Sequence, residues 1–239
     1  MTPYATFDLE IADEIPGGIW DKKTKLGVTC AAIMINDKKP STVMLEYQPG
    51  RMEPDKLRYL GETLLNISAK MPIITWNGAA FDFHVLAVEM PEYIDSWRAI
   101  ANSSIDLMLQ IVFQRSHFLG LDKALKGAGL AGKTHNVRLK TGEIITDMGG
   151  ARAPQLWAAE EYDAVLTYLR GDVVTLATLV EWVNEHKYIT WTSGSGKDQI
   201  VPMAQMRTVG ELRKDRQPPA PNWNKTPASV RELTAWLSA

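Results

Sequence analysis

Cysteine is all but missing from this 239-residue chain, and a single Cys30 excludes an internal disulfide and any multi-cysteine zinc site. It lies in the apolar stretch 28–35 and reads as a small core residue. No apolar run approaches the roughly 20 residues of a membrane span, so no membrane partner is expected. The first strand begins almost at once with acidic residues inside it, so no signal peptide is expected either. Together these point to a reducing, cytoplasmic setting, without saying whether a cell or a virus encodes the chain. Excess charge is lacking too. Lys and Arg number 26 against 28 Asp and Glu, a net charge of −2, which argues against electrostatic coating of nucleic acid but leaves room for a local grip on a short end. The length and a hydrophobic content of 45% suit one sizeable core, with a small appendage at most.

The patterning alternates between strand and helix. Strands are expected over 4–9, 27–35 and 42–47, with a Pro/Gly-bearing loop over 13–25 between the first two. Leu57, Leu60, Leu64 and Leu65 recur at helical spacing over 54–68. A short buried strand over 72–76 precedes the turn Asn77-Gly78 and a helix from about 80 to 90, and another strand is expected over 104–107. A helix-rich region follows, with 121–127 its clearest piece. A long helix starts at about 154 or 160 and runs to 186. Gly171 interrupts it at about 1 kcal/mol relative to Ala, a sign of close approach by a neighbour. Beyond Trp191 the chain reads as polar loop, with a last amphipathic helix after Pro227. Three strands and then alternating helix and strand predict an α/β fold with a mixed sheet.

Chemistry concentrates in three places. Asp8 and Glu10 stand two apart on the first strand and so face the same way, while Phe7 and Leu9 face the other. An acidic, solvated edge strand would do this; so would a pair of carboxylates held together by a cation. Asp82 follows Asn77-Gly78-Ala79-Ala80-Phe81 at a helix start, where the helix dipole alone favours a carboxylate. Tyr168 and Asp172 share a helix face, as a metal-site pair or as a buried tyrosine bonded to a helical aspartate.

In order, the pieces are Asp8-x-Glu10, Asn77-x-x-x-Phe81-Asp82 and Tyr168-x-x-x-Asp172. This set resembles the DEDD (DnaQ-like) 3′–5′ exonuclease superfamily, in the branch whose third motif carries tyrosine. The segments 104–108, 120–125 and 129–133 are similar to those of stand-alone relatives of family-B DNA polymerase proofreading domains. The resemblance covers about residues 1–190. It implies an RNase H-like fold, a five-stranded mixed sheet flanked by helices, over a domain of residues 1–192. Residues 193–239 form a C-terminal loop and amphipathic helix extension outside it.

The resemblance also implies roles. Asp8, Glu10, Asp82 and Asp172 are hard oxygen ligands for two divalent cations, Mg²⁺ or Mn²⁺, with Asp8 bridging them. Tyr168 orients the attacking water, its phenol being a poor base at neutral pH. Asn77 and Phe81 line the substrate pocket, and Leu9, through its backbone, sits where the terminal nucleotide would pack. The implied activity is 3′–5′ exonucleolytic release of nucleoside monophosphates from single-stranded DNA, with any polymerase or replication protein a separate partner. RNA is the near alternative; a non-catalytic nucleic-acid-binding or polymerase-accessory protein and a glycosidase using paired carboxylates are more distant ones. Beyond these, His84 reads as a satisfied or exposed histidine and Asp106 as a structural aspartate. Lys123, Lys126, Lys133, His135, Arg138 and Lys140 read either as phosphate contacts or as a solvated loop face. Trp76 and Phe83 read as core or as base-stacking rings.

Overall fold

The computed structural model describes residues 2–37, 40–46 and 49–238. Its centre is a five-stranded mixed sheet in the order β3-β2-β1-β4-β5. β1 (Tyr4–Ile11) pairs antiparallel with β2 (Val28–Asn36), which pairs antiparallel with β3 (Ser41–Glu46). The expected third strand ran to Tyr47, which lies outside the described residues. Helix α1 (Pro54–Ser68) then returns the chain to β4 (Ile73–Thr75), parallel to β1. Helices α2 (Asp82–Glu89) and α3 (Ile94–Ser103) lead to β5 (Ile105–Asp106), parallel to β4. This is an RNase H-like arrangement, as the motif pattern implies. β1 is therefore the central strand, and an acidic edge strand is excluded.

Alternation along β1 divides the molecule. Ala5, Phe7, Leu9 and Ile11 enter the larger core, with Ala31, Ile33, Leu60, Leu64, Phe83, Leu86 and Trp97 from β2 and α1–α3. Phe83 stacks on Phe7 at 5.4 Å between ring centroids, which makes it a core ring rather than a base-stacking one. The chain then adds α4 (Leu107–Arg115), which contributes to the cores on both sides, and on the opposite face α5 (Leu121–Gly127), the two-residue strands β6 (Val137–Arg138) and β7 (Ile144–Ile145), α6 (Ala153–Ala158), and the long α7 (Tyr162–His186). Helix α7 crosses β1 so that the Tyr4 hydroxyl donates to Ala177 O and the Thr6 hydroxyl to Val173 O. The next residues on that face are Asp8 and Glu10. Cys30 packs with Ala32 against α6 and α7 and is fully buried.

The chain after Trp191 departs from the loop expected there. β8 (Tyr188–Thr192) and β9 (Asp198–Pro202) form an antiparallel hairpin whose turn is the Ser193-Gly-Ser-Gly run. Position 192/193 thus falls inside a hairpin. α8 (Val209–Lys214) follows, started by a capping box between Thr208 and Glu211 that carries no apolar periodicity to announce it. In place of one closing amphipathic helix there are the single turn α9 (Val230–Leu233) and a 3₁₀ turn, Ala235–Leu237. Val230 and Leu237 join the larger core, so the end of the described chain docks back on the domain.

Candidate active site

Asp8, Leu9, Glu10, Asn77, Phe81, Asp82, Tyr168 and Asp172 all line one cleft of about 730 Å³ between the end of β1, the start of α2 and the middle of α7. Different local causes bring them there. Asp8 and Glu10 follow from the pleat of β1, reinforced by the Thr29 hydroxyl bonded to Glu10 O. Tyr168 and Asp172 lie one turn apart on α7, both buried. Asp82 reaches the site because the turn before α2 is fixed from below. Asp106, fully buried, accepts the backbone N–H groups of Asn77, Ala79 and Leu109. Asn77 adopts a left-handed φ of 73°, a strained conformation for a residue with a side chain, and its Oδ1 is buried without a hydrogen-bond partner. Asp106 is the structural aspartate expected from sequence, and burial pushes its carboxyl up to about 6.

The electrostatics are those of crowded acids. Asp82 accepts the Leu9 N–H at 3.1 Å, yet burial pushes it up to about 7 despite that bond and a hydrogen bond shared with Asp8. Burial raises Asp8 well above the usual carboxylate range, and the charges of Asp82, Asp172 and Glu10 add to it. Glu10 is raised in the same way, by burial and then by Asp172. Burial likewise raises Asp172, against the pull of Lys133. Burial and the carboxylates of Asp172, Glu10 and Asp8 push the Tyr168 phenol up, so it stays protonated at any physiological pH.

Lys133 was one of six basic residues that the sequence could not separate. Its Nζ lies 2.6 Å from Asp172 Oδ2 and 2.6 Å from Tyr168 Oη, and 4.8 Å from the Tyr168 ring centroid. Burial works against its charge, but Asp172 and Asp8 hold it above the usual lysine range. Two features bring it in. Asp122 accepts the Lys133 N–H. At Gly171 a Cβ would meet Thr134 Oγ1 at 2.6 Å, so glycine lets the 133–134 segment lie against α7. The neighbour implied by that glycine is therefore the segment that delivers Lys133. Four of the other five make contacts elsewhere: Lys126 and His135 pair with Asp122, Lys140 with Glu160, and Arg138 donates to Gly142 O.

One further expectation changes. His84 is neither exposed nor satisfied: it is buried, its Nδ1 lacks a partner, and it packs between Trp20 and Trp236 at 5.0 and 4.9 Å. Burial, with Lys22 nearby, lowers it to about 4. Trp76 is partly buried and lines the cleft, its indole N–H donating to Leu119 O.

The acidic cluster fits divalent cations in donor chemistry. Burial raises all four carboxylates, neighbouring acids raise Asp8 and Glu10 further, and Asp172 Oδ1 is buried without a hydrogen-bond partner, the kind of orphan atom that a cation satisfies. Among the described residues no three acidic, histidine or cysteine side chains already stand at metal-ligand spacing; the Lys133 ammonium partly neutralises the cluster instead.

A central β1 with carboxylates on one face, crossed by a helix that adds another, defines a protein of RNase H-like class. The sequence agrees: a family model described as RNase_H superfamily matches residues 18–184, and the chain belongs to that superfamily. The match includes Asp82, Tyr168 and Asp172 and begins after Asp8 and Glu10. Curated protein sequences give no significant match. Among solved structures, a family B DNA polymerase from the hyperthermophilic archaeon Pyrobaculum calidifontis superposes with a TM-score of 0.54 at 16% identity, over 77% of this chain and 25% of the polymerase. E. coli exonuclease I in complex with a dT13 oligonucleotide superposes with a TM-score of 0.37 at 14% identity, over 78% of this chain and 44% of the other. The chain thus spans a quarter of the polymerase and less than half of the exonuclease, and the first likeness is one of fold.

Proposed function

We propose that this protein is a metal-dependent 3′–5′ exonuclease of the tyrosine-bearing DEDD branch, acting on single-stranded DNA ends and releasing nucleoside 5′-monophosphates. The observation that carries this reading is the convergence of Asp8, Glu10, Asp82 and Asp172 with Tyr168 on one cleft. Paired carboxylates for glycoside hydrolysis would need neither the third and fourth acid nor the phenol.

Asp8, Glu10, Asp82 and Asp172 would hold two Mg²⁺ or Mn²⁺ ions. Bound there, the cations would supply an activated water and charge neutralisation at the scissile phosphate. The remaining work falls to the chain. Asp106 holds the turn that aims Asp82, while Leu9 N–H fixes the Asp82 carboxylate. Tyr168, protonated, donates or accepts one hydrogen bond and orients water rather than removing its proton. Lys133 presents a cation beside the same phenol, placed to meet a phosphate oxygen. Leu9, Asn77 and Phe81 form the wall against which a terminal nucleotide packs. Any polymerase or replication protein would act as a separate partner.

The test is degradation of 5′-labelled single- and double-stranded DNA and RNA with Mg²⁺, Mn²⁺ or chelator, by wild type and Asp8→Ala. A ladder shortening from the 3′ end, absent in the mutant and in chelator, is the expected result. Binding without degradation under every metal condition would overturn the reading, and preferential loss of RNA would change the substrate.

A further inference from the structure

The loop joining α4 to α5 is held in place by the C-terminal extension. Ser116 is buried and ends α4 in a left-handed turn, with φ 51°. The extension holds it on three sides. Gln217 Nε2 donates to Ser116 Oγ at 2.9 Å, and Asn224 Nδ2 and the Ala228 N–H both donate to Ser116 O. Fixed this way, the loop projects His117 and Phe118. The extension lays Trp223 edge-on against His117, with ring centroids 5.6 Å apart. Phe118 is 50% exposed and Trp223 61%. Phe118 also lines a second cavity, of about 330 Å³, whose wall includes Asp8, Asn77, Lys133 and Asp172. Phe118 thus carries exposed apolar surface into the candidate active site, and Trp223 adjoins that loop through His117.

We propose that Phe118 and Trp223 form a stacking ledge for unpaired bases lying 5′ of the scissile phosphate, so that the extension makes the enzyme selective for single strands. This rests on the nuclease reading above. The occupant follows from the chemistry. A base offers a flat apolar face to each ring, and base–aromatic stacking is indifferent to sequence. Lys133 in the cavity wall and exposed Lys225, two residues beyond Trp223, supply cations for the backbone between bases. In a duplex the base faces are already covered by one another, so the ledge has nothing to grip.

The experiment measures binding of 5′-labelled oligothymidylates of two to twelve nucleotides, and of a twelve-base-pair duplex, in chelator, where no hydrolysis intervenes. Wild type, Trp223→Ala, Phe118→Ala and Trp223→Phe are compared after their melting temperatures are matched. Either alanine variant is expected to weaken the dodecamer about tenfold, with a penalty that grows with strand length; Trp223→Phe recovers most of it, and duplex binding does not change. Alanine variants that bind the dodecamer as wild type does would overturn the ledge. An equal loss for dinucleotide and dodecamer would also overturn it, because the rings would then shape the cavity rather than stack upstream. Wild type that binds in a Trp223-dependent way but degrades nothing with Mg²⁺ or Mn²⁺ would keep the ledge and remove the nuclease. Degradation with unaltered binding by the variants would do the reverse.

Discussion

The imidazole of His84 lies flat against the indole of Trp236, with ring centroids 4.9 Å apart and planes 10° from parallel. One residue sits on the helix that begins with Asp82; the other is near the end of the chain. Trp236 Nε1 donates to Ala79 O, in the turn before Asp82, and Arg98 Nε donates to Trp236 O. The end of the described chain is thus a clamp on the turn and helix that present one of the four carboxylates. Trp236→Ala should cost about 2 kcal/mol, less than a fully buried tryptophan because the ring is partly exposed, and lower the melting temperature by about 4–8 °C. Nuclease rate should fall with it, and Trp236→Phe should recover most of both. Scanning calorimetry and single-turnover assays check this; an unchanged rate in a destabilised Trp236→Ala would show that the clamp stabilises without positioning.

Stability in chelator should fall as pH rises. The carboxyls of Asp8, Glu10, Asp82, Asp106 and Asp172 lie above the ordinary range in the folded protein, so the native state binds more protons than the unfolded one. Their contribution is full below the unfolded carboxylate range, about 4, and is lost as pH climbs through the folded values, about 6 for Asp106 and about 7 for Asp82. His84 works in the opposite sense. Its folded value of about 4 favours stability above about 6.5 and is lost as pH falls towards 4. The clean window is therefore pH 6.5 to 8, where a retained proton is worth at most about 1.4 kcal/mol per pH unit. Melting temperature should drop by a few degrees across it in chelator, and saturating Mn²⁺ should flatten the slope. A rising profile in chelator would contradict the crowding described above.

Lys133→Met should separate the ammonium from the cations it would compete with. Asp172 loses its buried partner, so the chelated protein should lose about 2 kcal/mol or more. With the positive charge gone, the Mn²⁺ concentration at which melting temperature is half-raised should fall about tenfold. A thermal-shift titration reads both; an unchanged midpoint would mean that Lys133 and the metal ignore each other.

Tyr168→Phe removes a hydroxyl but no metal ligand. Degradation should slow by about tenfold to a hundredfold, the usual result of a misplaced reactant, against near-complete loss for Asp8→Ala. Rates measured side by side at saturating Mn²⁺ decide it. Equal losses would assign the phenol more than orientation.

Gly171→Ala pits helix propensity against contact. Alanine gains about 1 kcal/mol in an α-helix, but its Cβ would stand 2.6 Å from Thr134 Oγ1. The contact should win, with a net loss of about 1 kcal/mol and a slower enzyme, since the displaced segment carries Lys133. Adding Thr134→Ala should restore much of both in a double-mutant cycle.

Much of this site could be read from residue spacing because its parts are local patterns: an i, i+2 pair on a strand, an acid after a tight turn, an i, i+4 pair on a helix. The mixed character of the sheet was legible in the succession of three strands and then alternating helix and strand. Lys133 could not be singled out, since what distinguishes it from Lys123 or Lys126 is the space over Gly171, a contact across about 38 positions of chain. The hairpin after Trp191 was hidden by its polar turn, and α8 by its brevity. The His84–Trp236 stack joins residues about 150 positions apart, and no periodicity connects them. His84 looked like an ordinary helical histidine because its neighbours come from a distant loop and from the C-terminal end.

Along β1 the residues Tyr4, Thr6, Asp8 and Glu10 face α7 while Ala5, Phe7, Leu9 and Ile11 face the core, and the register with β2 shifts only after Glu10. Such a strand is unevenly tolerant of mutational change. It can absorb many substitutions, since a new side chain affects one position. A residue inserted or deleted just before Asp8 moves both acids into the core and turns the Leu9 side chain towards α7, exchanging the two faces from that point on. Natural variation in this segment should therefore run through replacements and leave its length unaltered.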